Sequence, residues 1–260
     1  MPKPPRRGDD GRLRPSTVSR GQSSVIGVAL LVGITMIALG TMAASVGSVV
    51  DDAATDADVR RVTADFDRVL KPVETTGLTR GRLQFGGGSL RTTERTVRIL
   101  DSDGVVETHD ATALVYTPGP VDSDQVRDRR RVTFLAGSIL VTQGDYTRVV
   151  RPPPIAAGPG VLVIGLPVIE GDVGIGGRRL DLQVETHVTH TRRSLGTETW
   201  RVAVETTTPA AWNRTLNETG ATPMARRDFD GDGTPSVVVD YPGQRRAHLV
   251  VHEVALEVHQ

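Results

Sequence analysis

An uncharged segment of 26 residues, from Val25 to Val50, most constrains what this chain can fold into. About 20 apolar residues in an α-helix cross the roughly 30 Å hydrocarbon core of a bilayer, so this segment is long enough to span one. The apolar core of a cleaved secretory signal peptide is shorter, at roughly 7–15 residues. The length therefore predicts a membrane helix that is retained on the protein.

The charges on either side of this segment predict its orientation. Residues 1–21 contain six basic and two acidic residues, whereas Asp51 and Asp52 follow the segment directly. Basic residues stay on the cytoplasmic side of a membrane. The chain is therefore predicted to cross the cell membrane once, with its N terminus inside and the domain after residue 50 extracellular.

The junction before the apolar segment carries a candidate processing motif, Arg20-Gly21-Gln22-Ser23. It resembles the class III signal peptide of archaeal type IV pilins and archaellins, and residues 22–27, QSSVIG, are similar to the mature start of haloarchaeal pilins. The resemblance implies that a prepilin peptidase cuts between Gly21 and Gln22 and leaves the hydrophobic helix on the mature chain. Ile26 occupies the fifth mature position, where many bacterial pilins have an acidic residue. An ordinary uncleaved signal anchor is the alternative.

Small residues share one face of this predicted helix. At about 100° per residue, five of them fall within a sector of about 60°. Small side chains let helix backbones approach closely in a membrane. We therefore predict that the helix packs against other pilin-like subunits or copies of itself. The helix-packing face consists of Ala29, Gly33, Gly40, Ala44 and Gly47.

The composition and motifs exclude several classes of protein. Cysteine is absent, so disulfides and thiol catalysis are excluded. Without residues 1–21 the chain has 25 basic and 29 acidic residues, which gives no reason to expect nucleic acid as a partner. No G-x-S-x-G motif occurs, and Leu256 replaces the second histidine of an H-E-x-x-H motif that would begin at His252. We predict that the protein is not an enzyme; a secreted hydrolase on a membrane anchor is the weakest alternative.

The remaining histidines show no spacing that suits a metal. His187 and His190 lie three residues apart and would face opposite sides of a strand. His248 and His252 would be about 13 Å apart at roughly 3.3 Å per residue. The sequence therefore predicts ordinary sheet positions for these side chains.

The sequence after residue 50 predicts a helix and then β-strands. Apolar residues continue at helical spacing as far as Pro72, which ends the helix. Alternation of apolar and polar residues at 180–188 and 200–205 is typical of antiparallel strands. Residues 209–218 predict a short helix, with Pro209 in its first turn and Gly220 after its end. Further predicted strands are 79–85 and 89–100 across a turn at 86–88, then 104–108, 111–116, 131–142, 161–169, 235–240 and 247–258. The helical positions are Val59, Val62, Phe66, Val69, Leu70 and Val73.

Together these patterns predict an α+β fold class. A long N-terminal transmembrane and amphipathic helix is followed by a β-rich, mostly antiparallel extracellular domain. The predicted parts are a cleaved cytoplasmic leader (1–21), a transmembrane assembly helix (22–50), an amphipathic extension (51–75) and a head domain (76–260).

Two motifs in the predicted head domain are candidate binding or modification sites. Asp228, Asp230 and Asp232, followed by a glycine, match the first half of a D-x-D-x-D-G calcium loop. Calcium is the single cofactor that the sequence suggests, and a solvated acidic turn is the alternative. Asn213 and Asn217 each begin an N-x-T acceptor sequence for N-glycosylation.

The function predicted from the sequence is that of a non-enzymatic, pilin-like cell-surface subunit. It would self-associate through its N-terminal hydrophobic helix and display a β-rich head. Its predicted partners are the membrane, a prepilin peptidase and other subunits. The alternative is an uncleaved single-pass surface protein whose extracellular domain binds a ligand or calcium.

Overall fold

The computed structural model describes residues 22–119 and 130–259, with the side chains of residues 22–26 and 43–48 excepted. The predicted leader, residues 1–21, lies outside the described residues. The chain divides into two compact units, Met1–Asp51 and Asp52–Gln260, and each is described here by itself.

The described part of the first unit is helical. Helix α1 spans Gln22–Val69, and its residues up to Asp51 belong to this unit. All side chains described between residues 27 and 50 are exposed, and nearly all of them are apolar. The hydroxyl of Thr35 donates to the carbonyl of Leu31 at 2.9 Å, and that of Thr41 donates to Ala38 at 2.9 Å. These hydroxyls are therefore satisfied within the helix itself.

The predicted α+β fold class with a transmembrane helix is wrong. In the part of the chain that the structure describes, no helix is both long enough and apolar enough to cross a membrane. Strands account for most of the second unit, so the described chain is mainly β.

The second unit is built on one twelve-stranded sheet. Its main path runs β7-β6-β5-β4-β1-β10-β12-β9-β8, and β2, β3 and β11 pair off this path. Neighbouring strands are antiparallel except β9 and β12, which are parallel. The strands are β1 (Gly77–Thr93), β2 (Thr96–Leu100), β3 (Val105–Asp110), β4 (Ala113–Pro118), β5 (Arg131–Leu135), β6 (Ser138–Gln143), β7 (Tyr146–Arg151), β8 (Ile155–Gly158), β9 (Val161–Glu170), β10 (Gly174–Glu205), β11 (Thr222–Arg227) and β12 (Ser236–His259).

Strand β10 is a central strand of this sheet and pairs with β1, β2 and β12. Its first half pairs with β1, from Gly174 opposite Arg91 to Val188 opposite Gly77. Its last residues pair with β2, and β12 lies along its other edge over most of its length. A single strand of 32 residues therefore joins both halves of the sheet.

One hydrophobic core forms where the residues of α1 after Asp51 pack on the sheet. Five of the six predicted helical positions are buried there, including Leu70 directly after the end of the helix, and the sixth, Val73, is 47% exposed. The helix lies close to β1: a Cβ atom at Gly81 would be 2.3 Å from Cγ2 of Val69. The buried helix residues are Val59, Val62, Phe66, Val69 and Leu70.

A second core forms where helix α2, Pro209–Glu218, packs on the sheet. The prediction of a short helix over these residues is confirmed. Trp212 and Leu216 of α2 are fully buried, and Trp200 lies in the same core. The indole nitrogen of Trp200 donates to the carbonyl of Arg245 at 2.8 Å, so its polar atom is satisfied.

The predicted turn at residues 86–88 is wrong. Strand β1 continues through these glycines, and Gly87 and Gly88 pair with β10. Gly88 has φ +143°, and a Cβ atom there would be 2.4 Å from the carbonyl oxygen of Thr117. These glycines therefore permit close packing of a neighbouring strand rather than a change of direction. The glycine-rich residues 174–177 also lie in a strand, at the start of β10, and the strands predicted at 235–240 and 247–258 form one strand, β12.

Candidate functional site

The helix-packing face of α1 is partly described. Ala29, Gly33 and Gly40 lie on exposed helix, and a Cβ atom at Gly33 or Gly40 would meet nothing within 4 Å. Ala44 and Gly47 lie in the same helix, but their side-chain positions fall outside the described residues. Nothing else in the described chain therefore occupies the space beside Gly33 and Gly40.

The predicted cleavage site falls at the edge of the described chain. Gly21 lies outside the described residues, and Gln22 is the first residue of α1. Cleavage between them stays a prediction.

The candidate calcium turn between β11 and β12 is organised by its own backbone. Asp228 Oδ2 accepts a hydrogen bond from the Gly233 N–H at 3.0 Å, and its Oδ1 accepts one from the Gly231 N–H at 2.7 Å. These backbone donors hold the pKa of Asp228 below its usual value. Asp232 Oδ1 accepts from the Thr234 N–H at 2.7 Å. Two of the three predicted ligands therefore stabilise the turn itself.

The third carboxylate of this turn pairs with a buried arginine. Both oxygens of Asp230 lie 2.6 Å from Nη2 of Arg98, whose guanidinium also stacks over the ring of Phe229 at 4.8 Å. Within the described residues, no group of three or more histidine, aspartate or glutamate side chains is placed to hold a metal ion. Calcium binding by Asp228, Asp230 and Asp232 stays a prediction, in competition with these protein donors.

The two glycosylation sequons lie on helix α2 and differ in exposure. Asn217 is exposed, whereas Asn213 is partly buried. The sequon threonine of Asn213, Thr215, is buried, and its hydroxyl has no hydrogen-bond partner among the described residues. Thr219, which belongs to the Asn217 sequon, is partly exposed and donates to the Leu216 carbonyl at 2.7 Å. The sequon at Asn217 is therefore the more accessible of the two.

A histidine pair joins β10 and β12, and sequence spacing gave no sign of it. His190 lies directly opposite His252, and their Nδ1 atoms are 2.7 Å apart. Nε2 of His190 contacts the hydroxyl of Thr76 at 2.8 Å and the carbonyl of Thr75 at 3.1 Å. The pair therefore connects the sheet to the segment that leads from α1 into β1. Burial, with the nearby His190 as a smaller cause, lowers the pKa of His252.

A cavity lined by arginine and threonine side chains lies beside the N-terminal end of α2, and sequence analysis missed it as well. Arg91 and Arg131 line it from β1 and β5, and Thr206–Thr208 line it from the segment before α2. The two arginines are 40 positions apart in sequence, so only strand register brings them together.

The exposed apolar helix and the twelve-stranded sheet define a mainly β protein with a hydrophobic N-terminal helix. The chain belongs to a family of unknown function, DUF7289, whose match covers residues 20–257. No curated protein and no solved structure matches the chain.

Proposed function

We propose that this protein is a non-enzymatic, pilin-like cell-surface subunit that self-associates through the apolar part of α1 and displays its sheet domain. The observation that carries this proposal is the exposure of the large apolar side chains described in the first unit, each of which is 45–69% exposed. Apolar surface of this extent in one patch is typical of an interaction site. The exposed residues are Val28, Leu30, Leu31, Val32, Ile34, Met36, Ile37, Leu39, Met42, Val49 and Val50.

The chemistry of this segment favours a second copy of the same helix as its partner. Residues 25–50 contain no charged side chain, so a charged partner gains nothing there. The hydroxyls of Thr35 and Thr41 bond to carbonyls of the same helix. What remains is apolar packing, and the open space beside Gly33 and Gly40 allows another helix backbone to approach closely.

The family match supports treating the apolar helix and the sheet domain as parts of one functional unit, because it begins at residue 20 and continues to residue 257. The proposal includes removal of residues 1–21 by a prepilin peptidase. It also places the sheet domain outside the cell, on the basis of the basic residues before the apolar segment and Asp51 and Asp52 after it.

Two matched leucine substitutions test the proposal. Gly40→Leu fills the open side of the helix-packing face, and we expect it to reduce crosslinked oligomers and filament yield. Ala38→Leu adds a leucine about 180° around the helix, at 100° per residue, and should leave both yields near those of the parent. Both positions are exposed in the described chain, so neither change disturbs packing within the subunit.

Equal oligomer yields from Gly40→Leu, Ala38→Leu and the parent would contradict self-association through this face. The alternative function, an uncleaved surface protein whose sheet domain binds a ligand, would then be favoured. Recovery of surface protein that still begins before Gln22 would separately contradict cleavage.

A further inference from the structure

One face of the sheet formed by β1, β4, β5 and β6, the polar face, carries arginines and threonines beside the apolar Ala113, Leu135 and Leu140 of the second core. On these strands Leu90, Leu114 and Val132 point into the core beneath α1. Side chains alternate between the two faces of a sheet, so their neighbours point the other way. Arg91 lies opposite Val115, which lies opposite Thr133. This register brings side chains of three strands into one row on the polar face.

The polar face forms a cavity with the segment that precedes α2. The enclosed volume is about 90 Å³. It adjoins a more open cavity of about 390 Å³ that shares Arg131 and reaches Ala210 and Ala211 at the start of α2. The lining of the enclosed cavity consists of three arginines, six threonines and the apolar residues Ala113, Val115, Leu135 and Leu140, and it contains no carboxylate. The charged groups of this lining are therefore all positive.

Two of these arginines lack an acidic partner among the described residues. Arg95 pairs with Oε1 of Glu205 at 3.4 Å, but neither Arg91 nor Arg131 makes a described ion pair or side-chain hydrogen bond. Burial lowers the pKa of Arg131, and the nearby Arg91 lowers it further. An anion between the partly buried guanidinium group of Arg131 and the exposed one of Arg91 would offset their mutual repulsion.

Further donors face the same space. Thr208 is the N-cap of α2, but its side chain makes no capping hydrogen bond to the helix and its hydroxyl instead lies 3.2 Å from that of Thr206. Pro209 has no N–H, and the N–H groups of Ala211 and Trp212 donate to the Thr208 carbonyl at 3.2 and 3.3 Å, so Ala210 alone of the first three helix residues has an N–H left for an anion. Thr142 lies opposite Arg131 on the next strand, and its hydroxyl lies 3.1 Å from that of Thr147.

We propose that this cavity binds a phosphate or sulfate group, held by Arg91 and Arg131 and by threonine hydroxyls of the lining. Guanidinium groups bind such oxyanions through paired hydrogen bonds. The enclosed volume accepts one such group, and the adjoining cavity has room for the molecule that carries it. This inference is independent of how α1 assembles.

Thermal unfolding of the whole chain, followed by the fluorescence of the buried Trp200 and Trp212, tests the proposal. Sodium phosphate and sodium sulfate are titrated against sodium chloride at equal ionic strength. We expect phosphate or sulfate to raise the unfolding temperature with saturation, as for a ligand that binds the folded state alone. In Arg131→Gln and Arg91→Gln, the half-saturating anion concentration should rise at least tenfold.

Arg82→Gln is the matched control, because Arg82 is an exposed arginine on β1 that does not line the cavity. It should behave as the parent does. An equal response to chloride, or the same response from Arg131→Gln and Arg82→Gln, would overturn the proposal.

The unfolding temperature in chloride alone separates binding from a structural role. Because Arg131 has no described acidic partner, Arg131→Gln should leave that temperature unchanged or raise it. If Arg131→Gln instead lowers the unfolding temperature, the test rests on Arg91→Gln, because Arg91 is exposed. Undiminished anion binding by Arg91→Gln would then overturn the proposal.

Glucose 6-phosphate and glucose 6-sulfate distinguish two sources of the anion. Tighter binding of these compounds than of the inorganic anions would indicate that the ligand is a group carried by a sugar, and equal binding would indicate the free anion.

Discussion

The carboxylate of Asp58 occupies the space that a side chain at Gly86 would need. Its Oδ2 accepts a hydrogen bond from the Gly86 N–H at 2.8 Å, and a Cβ atom at residue 86 would lie 2.9 Å from the same oxygen. About two helical turns further along, Asp65 Oδ2 accepts a hydrogen bond from the Gln84 N–H at 3.2 Å. Strand β4 pairs with β1 only from Gly88 onwards. Carboxylates of α1 therefore satisfy part of the β1 edge that no strand covers.

The close approach of α1 to β1 predicts that Gly81→Ala is destabilising. The new methyl group would overlap Val69, whose Cγ2 lies 2.3 Å from the Cβ position. We expect a loss of about 1–3 kcal/mol in the free energy of unfolding, the usual cost of overpacking. Urea denaturation measures it. Gly174→Ala is the control, because a Cβ atom there meets nothing within 4 Å; equal losses from both variants would contradict the close contact.

The pair formed by Asp230 and Arg98 predicts that Asp230→Ala lowers stability even without calcium. The change leaves the buried guanidinium of Arg98 without its carboxylate partner, at a cost of about 1–3 kcal/mol. Because Asp230 is half-exposed, the lower end of this range is expected. The measurement is thermal unfolding in a chelator, with Asp103→Ala as the control, because Asp103 is exposed and its carboxylate makes no described hydrogen bond or ion pair.

Calcium added to the same samples tests the predicted calcium turn. Since the carboxylates already have protein donors, calcium must displace Arg98 from Asp230 or bind around it. A rise in unfolding temperature that Asp230→Ala abolishes would support calcium binding. Unchanged melting curves for the parent would show that the turn is stabilised by its own hydrogen bonds alone.

The histidine pair predicts a loss of stability on acidification. Burial, with His190 and Arg192 as smaller causes, lowers the pKa of His252, whereas the Pro72 carbonyl raises it. The unfolded chain therefore binds a proton at about pH 6.5, where folded His252 is still neutral. The contribution of His252 to the free energy of unfolding should be constant above that pH and should decrease as the pH drops below it.

Melting temperatures between pH 8 and pH 5 measure this effect. We expect His252→Gln to flatten the dependence, whereas His187→Gln, an exposed position on the same strand as His190, should retain it. His109 contributes in the same direction, because burial lowers its pKa too. The test is therefore the difference between the two variants; identical slopes would contradict a role for His252.

The exposure of α2 predicts that Asn217 carries a glycan more often than Asn213. Asn217 is exposed, whereas the Asn213 sequon includes the buried Thr215. Intact-mass and peptide analysis of protein from its native source would measure occupancy at each site. Full occupancy at Asn213 with none at Asn217 would contradict the order expected from exposure.

The sequence predicted the secondary-structure elements that depend on residues close to one another in the chain. Helix α2 could be predicted because a proline begins it and a glycine follows its end. The helical spacing of the apolar residues from Val59 to Leu70 predicted the buried face of α1. The turn predicted at Gly86–Gly88 was wrong because the sequence does not distinguish a glycine that allows a neighbouring element to pack closely from a glycine in a turn. His190 with His252, and Arg91 with Arg131, could not be paired from sequence, since only the register of distant strands brings them together.

The central position of β10 has a consequence for when this chain can fold during synthesis. Strand β1 can pair only after β10 is made, about 90 residues later, and β10 can complete its pairing only after β12 is made. The core that buries Val59 also contains Leu256. Pairings of such sequence separation form slowly and leave apolar surface exposed until they close. The emerging chain therefore has no complete sheet to fold into until β12 has been made.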